Sequence, residues 1–171
     1  MKVFVTGASG VLGHRLVERL ADRGHRVYGL VRDEPGADLV TARGGTPRRG
    51  DVLDRNSLER AVPDVDILVH AATSIPTATK PAPEAWEQND RVRRDGIENL
   101  VTVAGDRVDR ICFPSVVWVA RQPDGTWFDE TADRYPDRTS RSAATVEEYL
   151  TDASDEEGFD VTILRGGFFY A

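Results

Sequence analysis

Three glycines near the start of the chain are spaced as in loops that hold a phosphate group. Gly7, Gly10 and Gly13 follow a short apolar run, and apolar residues then return at helical spacing. A strand, a glycine turn and a helix in this order place free N–H groups where an anion binds. Gly7 allows a sharp turn, Gly10 lets the backbone approach a pyrophosphate, and Gly13 allows close helix packing. We therefore expect a dinucleotide to contact this turn at Gly7, Ser9, Gly10, Val11, Leu12 and Gly13. The alternative is an ordinary glycine-rich turn between a strand and a helix.

Two charged residues at the end of the second predicted strand bear on which dinucleotide is bound. Arg32 follows the apolar run 27–31 directly, and Asp33 comes next. An arginine at this place pairs with the 2′-phosphate of NADP, whereas a carboxylate accepts from the 2′-hydroxyl of NAD. Because the arginine comes first, we expect NADP as the cofactor, with NAD as the alternative. Arg32 could otherwise be a solvated charge at a strand end.

Two further segments lie where a bound dinucleotide would run. Asp51 and Val52 precede the third predicted helix, where an acid can accept from the adenine amino group while its neighbour packs on the ring. The alternative is that this segment only caps the helix. Ala71, Ala72 and Thr73 follow the fourth predicted strand, where small side chains leave room for a cofactor. These five residues are added to the predicted cofactor site.

Two reactive side chains are expected to be buried rather than catalytic. No carboxylate is placed to orient His70, so we expect it in the core or beside the cofactor and not as a general base. Cys112 has apolar neighbours, which indicates a core residue rather than a reactive thiol. No metal site is predicted.

Apolar runs and helical periodicity alternate along the chain, which predicts a parallel sheet. The strands are predicted at 3–5, 27–31, 46–49, 65–69, 108–113 and 161–164. Helices are predicted between them, including a short one at 34–43 and longer ones at 84–105 and 140–153. The fold class is therefore α/β, a doubly wound parallel sheet, with one domain over residues 1–171.

Charge and composition exclude several classes of partner. The chain has 171 residues and a net charge of −7, which argues against nucleic acid or an anionic membrane surface as a partner. No apolar run is long enough to span a membrane. Lys2 leads straight into a strand, unlike a signal peptide, and the single cysteine fits a reducing compartment. We therefore expect a cytoplasmic location.

The motifs together resemble the extended short-chain dehydrogenase/reductases, also called NAD-dependent epimerase/dehydratases. They read TGASGVLG at 6–13, GDVLD at 50–54, HAAT at 70–73, GIENL at 96–100 and DVTILRGG at 160–167. The resemblance covers nearly the whole chain and implies a Rossmann fold with NAD(P) across the strand ends. It also implies Asp51 and Val52 at the adenine, with Ala71 and Ala72 beside the cofactor.

The acid–base pair that the resemblance implies is absent from this sequence. The family uses a tyrosine to transfer the substrate proton and a lysine four residues later to lower the tyrosine pKa. Their places are taken by Thr139 and Ala143. No Tyr-x-x-x-Lys occurs elsewhere, because Lys2 and Lys80 are the only lysines. Proton transfer by the usual route is therefore not expected.

One catalytic residue that the resemblance implies, a serine, is present in this sequence. Ser115 matches the family's serine that hydrogen-bonds the substrate oxygen, so Ser115 and Thr139 are the candidate catalytic residues. Two other positions depart from the family pattern: Arg93 stands where an asparagine is usual, and Gly166 where a proline is usual.

The resemblance also implies a C-terminal substrate subdomain and a homodimer. The sequence stops after the sixth predicted strand, so we expect a fragment, a lid from a partner, or a domain that only binds nucleotide. The dimer would form through the helices at 84–104 and 140–153. Ile97, Val101, Val146 and Leu150 would form its apolar seam, unless they face the sheet instead.

Two functions remain open at this stage. The first is an atypical oxidoreductase or epimerase-like enzyme that transfers a hydride to or from a small molecule or a nucleotide sugar. Ser115, Thr73 or Thr139 would then orient the substrate. The second is a non-catalytic NADP(H) sensor. The glycine turn supports both, the lost tyrosine and lysine favour the sensor, and the family favours the enzyme.

Overall fold

Six parallel strands form the centre of the computed structural model, which describes residues 1–167. They are β1 (Lys2–Thr6), β2 (Arg26–Val31), β3 (Thr46–Arg49), β4 (Ile67–His70), β5 (Arg110–Val116) and β6 (Asp160–Gly166). They pair in the order β3–β2–β1–β4–β5–β6. The order reverses between β1 and β4, which opens a crevice at the carboxyl ends of these two strands. The predicted doubly wound parallel sheet of the Rossmann type is confirmed.

Five helices connect the strands within the described part of the chain. They are α1 (Val11–Asp22), α2 (Glu34–Ala42), α3 (Arg55–Ala61), α4 (Glu87–Ala104) and α5 (Arg141–Glu157). Local signals set several of their ends: Asp54 accepts from the backbone N–H of Ser57 at 3.2 Å, and Gly24 follows α1 with a φ of +79°. Within residues 1–167, no helix combines the length and the apolar character needed to cross a membrane.

The sheet is covered by a hydrophobic cluster on each face, as expected for parallel strands. Along β1, Phe4 packs in the larger cluster with α3, α4 and α5, whereas Val3 and Val5 pack in the smaller one with α1 and α2. The larger cluster includes the four residues considered for a dimer seam, namely Ile97, Val101, Val146 and Leu150. All four are at most 6% exposed within the single chain. Of the two interpretations of these residues, the structure supports the second, in which they pack in the core of the single chain and do not form a seam; the homodimer itself stays a prediction.

The fifth strand extends further than the sequence predicted. Its predicted end was Phe113, directly before Pro114, and proline lacks the N–H that a strand ladder needs. Pairing of β5 with β4 ends at Cys112, while pairing with β6 continues to Val116. Pro114 therefore lies where β5 pairs with only one neighbour, and the missing N–H is tolerated. The extension places Ser115 inside the strand.

Candidate functional site

The glycine turn between β1 and α1 is pressed against the end of β4. Gly7 has a φ of +66°, and a side chain there would come within 2.7 Å of the Ala71 carbonyl oxygen and the Ala72 backbone. A Cβ on Gly13 would lie 2.0 Å from the Gly7 carbonyl oxygen. Both positions accept only glycine, because the first turn of α1 and the β4 end each contact the backbone of the turn.

The N-terminus of α1 is open to an anionic ligand. Gly10 caps the helix without a side-chain hydrogen bond, and no acidic residue lies in the first turn. Ser9, Gly10 and Val11 are exposed, whereas Gly13 is buried. The Gly10 N–H donates to the Gly7 carbonyl oxygen at 2.9 Å, so the N–H groups left for a ligand are those at the start of α1, at the positive end of the helix dipole. These features fit a pyrophosphate, the group that the glycine spacing predicts here.

A buried histidine fixes the two strand ends that flank the crevice. His70 is 1% exposed; its Nδ1 lies 2.9 Å from Thr6 Oγ1, and its Nε2 lies 3.1 Å from the Val92 carbonyl oxygen. A neutral ring fits these partners: Nε2–H donates to the carbonyl and Nδ1 accepts from the hydroxyl. Thr6 Oγ1 also accepts from the Ala72 N–H at 3.4 Å. The prediction of a buried His70 is confirmed.

The burial of His70 leads to a testable dependence of stability on pH. Burial lowers the pKa of His70 from 6.5 to about 4. Between these values the unfolded chain binds a proton that the folded chain does not, so the free energy of unfolding falls as the pH falls. At pH 5 we expect a loss of about 2 kcal/mol relative to pH 8, measured by urea unfolding.

Two histidine variants separate this contribution from that of other groups. His70→Gln should lose most of the dependence between pH 6.5 and pH 4, while His25→Gln, at a loop histidine, should keep it. Equal slopes in both variants would show that His70 is not the group that titrates.

The residues at the end of β2 have divided roles. Arg32 is exposed and has no hydrogen bond or ion pair within residues 1–167. Asp33 caps α2: its Oδ1 accepts from the Gly36 N–H at 2.8 Å. The carboxylate is therefore already engaged with the backbone, whereas the guanidinium is available to a ligand.

The Asp51–Val52 segment is held by its own turn. Asp51 Oδ1 accepts from the Leu53 N–H at 2.9 Å, and the Asp51 N–H donates to Ser57 Oγ at 2.9 Å. Val52 is 6% exposed and packs in the larger hydrophobic cluster, and its carbonyl accepts from Asn99. Thr73, after the small pair Ala71 and Ala72, is exposed at the end of β4.

The two candidate catalytic hydroxyls each have a partner within the chain. Ser115 is 4% exposed, and its Oγ donates to Glu147 Oε1 at 2.5 Å. Thr139 lies in the turn before α5, where its hydroxyl donates to Asp137 Oδ1 at 2.7 Å. Ala143 is fully buried in α5. Neither hydroxyl has its proton free for another acceptor in this arrangement.

A buried ionic cluster at the ends of β5 and β6 was missed by sequence reasoning. Glu147 is 1% exposed, and its Oε2 accepts from Arg165 Nη2 at 2.7 Å and lies 3.7 Å from Arg134 Nη1. The hydrogen bond to Glu147 raises the pKa of Arg165. One signal was present: Glu147 shares a helical face with Ala143 and Leu150, so an acid interrupts an apolar stripe.

A cavity of about 730 Å³ lies between α1 and the strands β4, β5 and β6. Its walls are mostly apolar, with Leu12 and Leu16 of α1 facing Val69 and Ile163 of the sheet. Polar side chains are few; Ser115 and Arg165 line it at the carboxyl ends of β5 and β6. An apolar space with a few convergent polar groups is typical of a small-molecule site.

Comparison with known proteins identifies the class of this site. A family model described as NAD(P)H-binding matches residues 7–171. A 3-diazoavenalumate denitrifying reductase from a Streptomyces species is 36% identical over 184 residues, covering 99% of this chain and 57% of the relative. A ketoreductase from Penicillium rubens is 27% identical over 160 residues, covering 86% of this chain and 47% of the relative.

A solved structure shows the same fold with a dinucleotide bound. The UDP-glucose 4-epimerase of Thermus thermophilus, in complex with NAD, is 27% identical with a TM-score of 0.82. The match covers 96% of this chain and 54% of the epimerase. The chain thus spans about half the length of these relatives. It is an NAD(P)-binding domain of the epimerase and reductase type, and it belongs to the extended and atypical short-chain dehydrogenase/reductase family.

Proposed function

We propose that residues 1–171 form the NADPH-binding domain of a reductase whose acceptor needs no proton from a tyrosine. The observation that carries this proposal is the combination of an open glycine turn with an absent acid–base pair. Thr139 and Ala143 replace that pair, and the Ser115 hydroxyl already donates to Glu147. A small electrophile such as a flavin, a quinone or an activated carbon suits such a site better than a nucleotide sugar.

The residues predicted for the cofactor lie at the carboxyl ends of four neighbouring strands, β1 to β4. The pyrophosphate would be held at the first turn of α1, next to Ser9 and Gly10, since the first N–H groups of a helix have no intrahelical acceptor. Arg32 would pair with the 2′-phosphate, and Asp51 would lie at the adenine. Ala71, Ala72 and Thr73 would line the path towards β5. Leu12 belongs both to the turn and to the cavity wall, which supports placing the nicotinamide end near the cavity.

In the proposed reduction, the side chains of this domain do not have to transfer a proton. When bound to this domain, NADPH would supply a hydride, which carries two electrons to the acceptor and leaves NADP⁺. The proton that completes the product comes from solvent, since no described side chain at positions 115, 139 or 143 offers one. The protein then has to orient the acceptor and exclude water, which the apolar walls of the cavity support.

The names of two relatives agree with a reductase. The Streptomyces protein is named a denitrifying reductase of a diazo compound, and the Penicillium protein is named a ketoreductase. Both names describe reduction of a small molecule. Loss of the tyrosine and lysine is compatible with an acceptor that is already strongly electrophilic, as a diazo compound is.

The choice of NADPH over NADH is tested at Arg32. Arg32→Ala should weaken NADPH binding by about 1.5–3 kcal/mol, the range for a hydrogen bond to a charged group, and leave NADH binding nearly unchanged. Arg26→Ala, which removes a charge at the opposite end of β2, serves as the control. Fluorescence titration with both cofactors gives the two affinities. Equal losses for NADPH and NADH would contradict the role of Arg32.

The proposed reaction is tested by following NADPH absorbance with the complete gene product and a panel of acceptors. Turnover confined to quinones, flavins or diazo compounds would support it. General acid catalysis contributes about 10²–10⁴-fold, so ketones and nucleotide sugars should react slowly or not detectably. Brisk turnover of a nucleotide sugar would show that another residue replaces the tyrosine. Tight NADPH binding without turnover would instead favour the sensor.

A further inference from the structure

Two buried donor side chains lie one turn apart on α4. Asn89 is 0% exposed and Arg93 is 5% exposed, although both carry strongly polar groups. Residues four apart lie on the same face of a helix, so the amide and the guanidinium are neighbours. Burial of two such groups on one face is costly unless their hydrogen bonds are satisfied.

The hydrogen bonds of this pair are incomplete. Asn89 Oδ1 accepts from the Ser74 N–H at 2.9 Å, but Asn89 Nδ2 is enclosed and has no partner within residues 1–167. Arg93 donates through Nη1 to the Thr139 carbonyl at 3.4 Å and to Ser142 Oγ at 3.3 Å, both long bonds. Its Nε and Nη2 make no hydrogen bond with the described residues. These two atoms are not among the fully enclosed ones, so the small exposed part of Arg93, 5% of the residue, leaves them a contact with solvent.

The charge of Arg93 is also not neutralised by a salt bridge within the described part of the chain. Asp90 is the carboxylate that acts on it electrostatically, but Asp90 Oδ2 is paired with Arg138 Nη1 at 2.6 Å. Burial lowers the pKa of Arg93, which shows the cost of holding the cation there. A buried cation without a direct ion pair is unfavourable, and a bound oxyanion would supply such a partner beside Asp90, whose Oδ1 is itself buried and has no hydrogen-bond partner within the described residues.

The pair lies on the face of the sheet that α4 covers, close to the carboxyl end of β4 and therefore at the same edge of the sheet as the cofactor turn. Ser74 belongs to the loop that follows β4, and the Val92 carbonyl next to Arg93 accepts from His70 at the end of β4. Ligands of doubly wound sheets bind at the carboxyl ends of the strands. We propose that Arg93, next to the buried Asn89, binds a carboxylate of the substrate through Nε and Nη2. This rests on the proposed reductase function and names its substrate class: an electrophile that bears a carboxylate.

The proposal is tested with the NADPH-loaded protein and a matched pair of probes, benzoate and benzamide. Isothermal titration should show that benzoate binds more tightly than benzamide and that Arg93→Met weakens benzoate about 10- to 100-fold, the loss of one charge-assisted hydrogen bond. Arg94→Met removes the same charge from an exposed neighbour and should leave benzoate binding unchanged. No benzoate binding by the unaltered protein, or an equal loss in both variants, would overturn the proposal.

The thermal stability of the ligand-free protein gives a second test, because replacing an arginine with a purely structural role would lower that stability. Arg93→Met removes an unpaired buried cation and should keep or raise the midpoint of thermal unfolding. Arg165→Met removes a cation paired with Glu147 and should lower it. A drop for Arg93→Met as large as that for Arg165→Met would overturn the proposal. Because neither measurement needs turnover, the result is independent of the acceptor panel.

Discussion

Replacing Gly10 by valine is expected to abolish dinucleotide binding while the domain stays folded. Gly10 has a φ of −77° and a ψ of 174°, an extended conformation that valine adopts readily. A Cβ there would meet only the Gly7 carbonyl oxygen, at 3.1 Å. The branched side chain would project into the open space at the start of α1, where we place the pyrophosphate. Several charge-assisted hydrogen bonds would be lost together, so affinity should fall by about 100-fold or more.

A second glycine of the same turn provides the contrast. On Gly13 even one methyl group would lie 2.0 Å from the Gly7 carbonyl oxygen and 2.8 Å from Ala8 Cα, so the backbone itself must shift. Gly13→Ala should therefore lower the free energy of unfolding by about 3 kcal/mol or more, the upper range for overpacking. NADPH titration and urea unfolding of both variants separate the two effects. Full NADPH affinity in Gly10→Val would place the pyrophosphate elsewhere.

Local patterns predicted much of this fold for a physical reason. Short apolar runs, glycine stops and helical spacing are properties of neighbouring residues, and α/β connections are right-handed in nearly all cases. The parallel, doubly wound sheet and the position of the glycine turn follow from those signals. The end of β5 could not be predicted in this way. A strand can contain Pro114 only where the neighbouring strand β4 has stopped pairing with it, and local sequence does not show where that happens. That information is spread over three strands.

The polar contacts of the site were harder to predict, since each joins distant segments. Glu147 meets Ser115 from 32 positions away and Arg165 from 18 positions away. Asn89 and Arg93 look like ordinary charged and polar residues of a solvated helix until their burial is known. The family motif predicts a functional role for Ser115, but it does not show that the Ser115 hydroxyl donates to Glu147 in the folded chain.

Removing the Glu147 carboxylate is expected to be among the most destabilising single changes in the domain. Glu147→Leu would leave the Arg165 guanidinium without its bidentate partner and Ser115 without its acceptor. Breaking a buried ion pair on one side typically costs about 3–5 kcal/mol, because the remaining charge stays poorly solvated. Chemical unfolding of the variant at neutral pH should show a loss of this size, without a change in helix content of the folded state.

Paired variants test whether the loss comes from the orphaned charge. In the double variant Glu147→Leu with Arg165→Met, apolar side chains replace both charges, and much of the lost stability should return. Ser115→Ala, which removes one neutral partner from an ionised acceptor, should cost about 1.5–3 kcal/mol or less. If the double variant is as unstable as the sum of its single changes, the cluster does not act as a coupled pair.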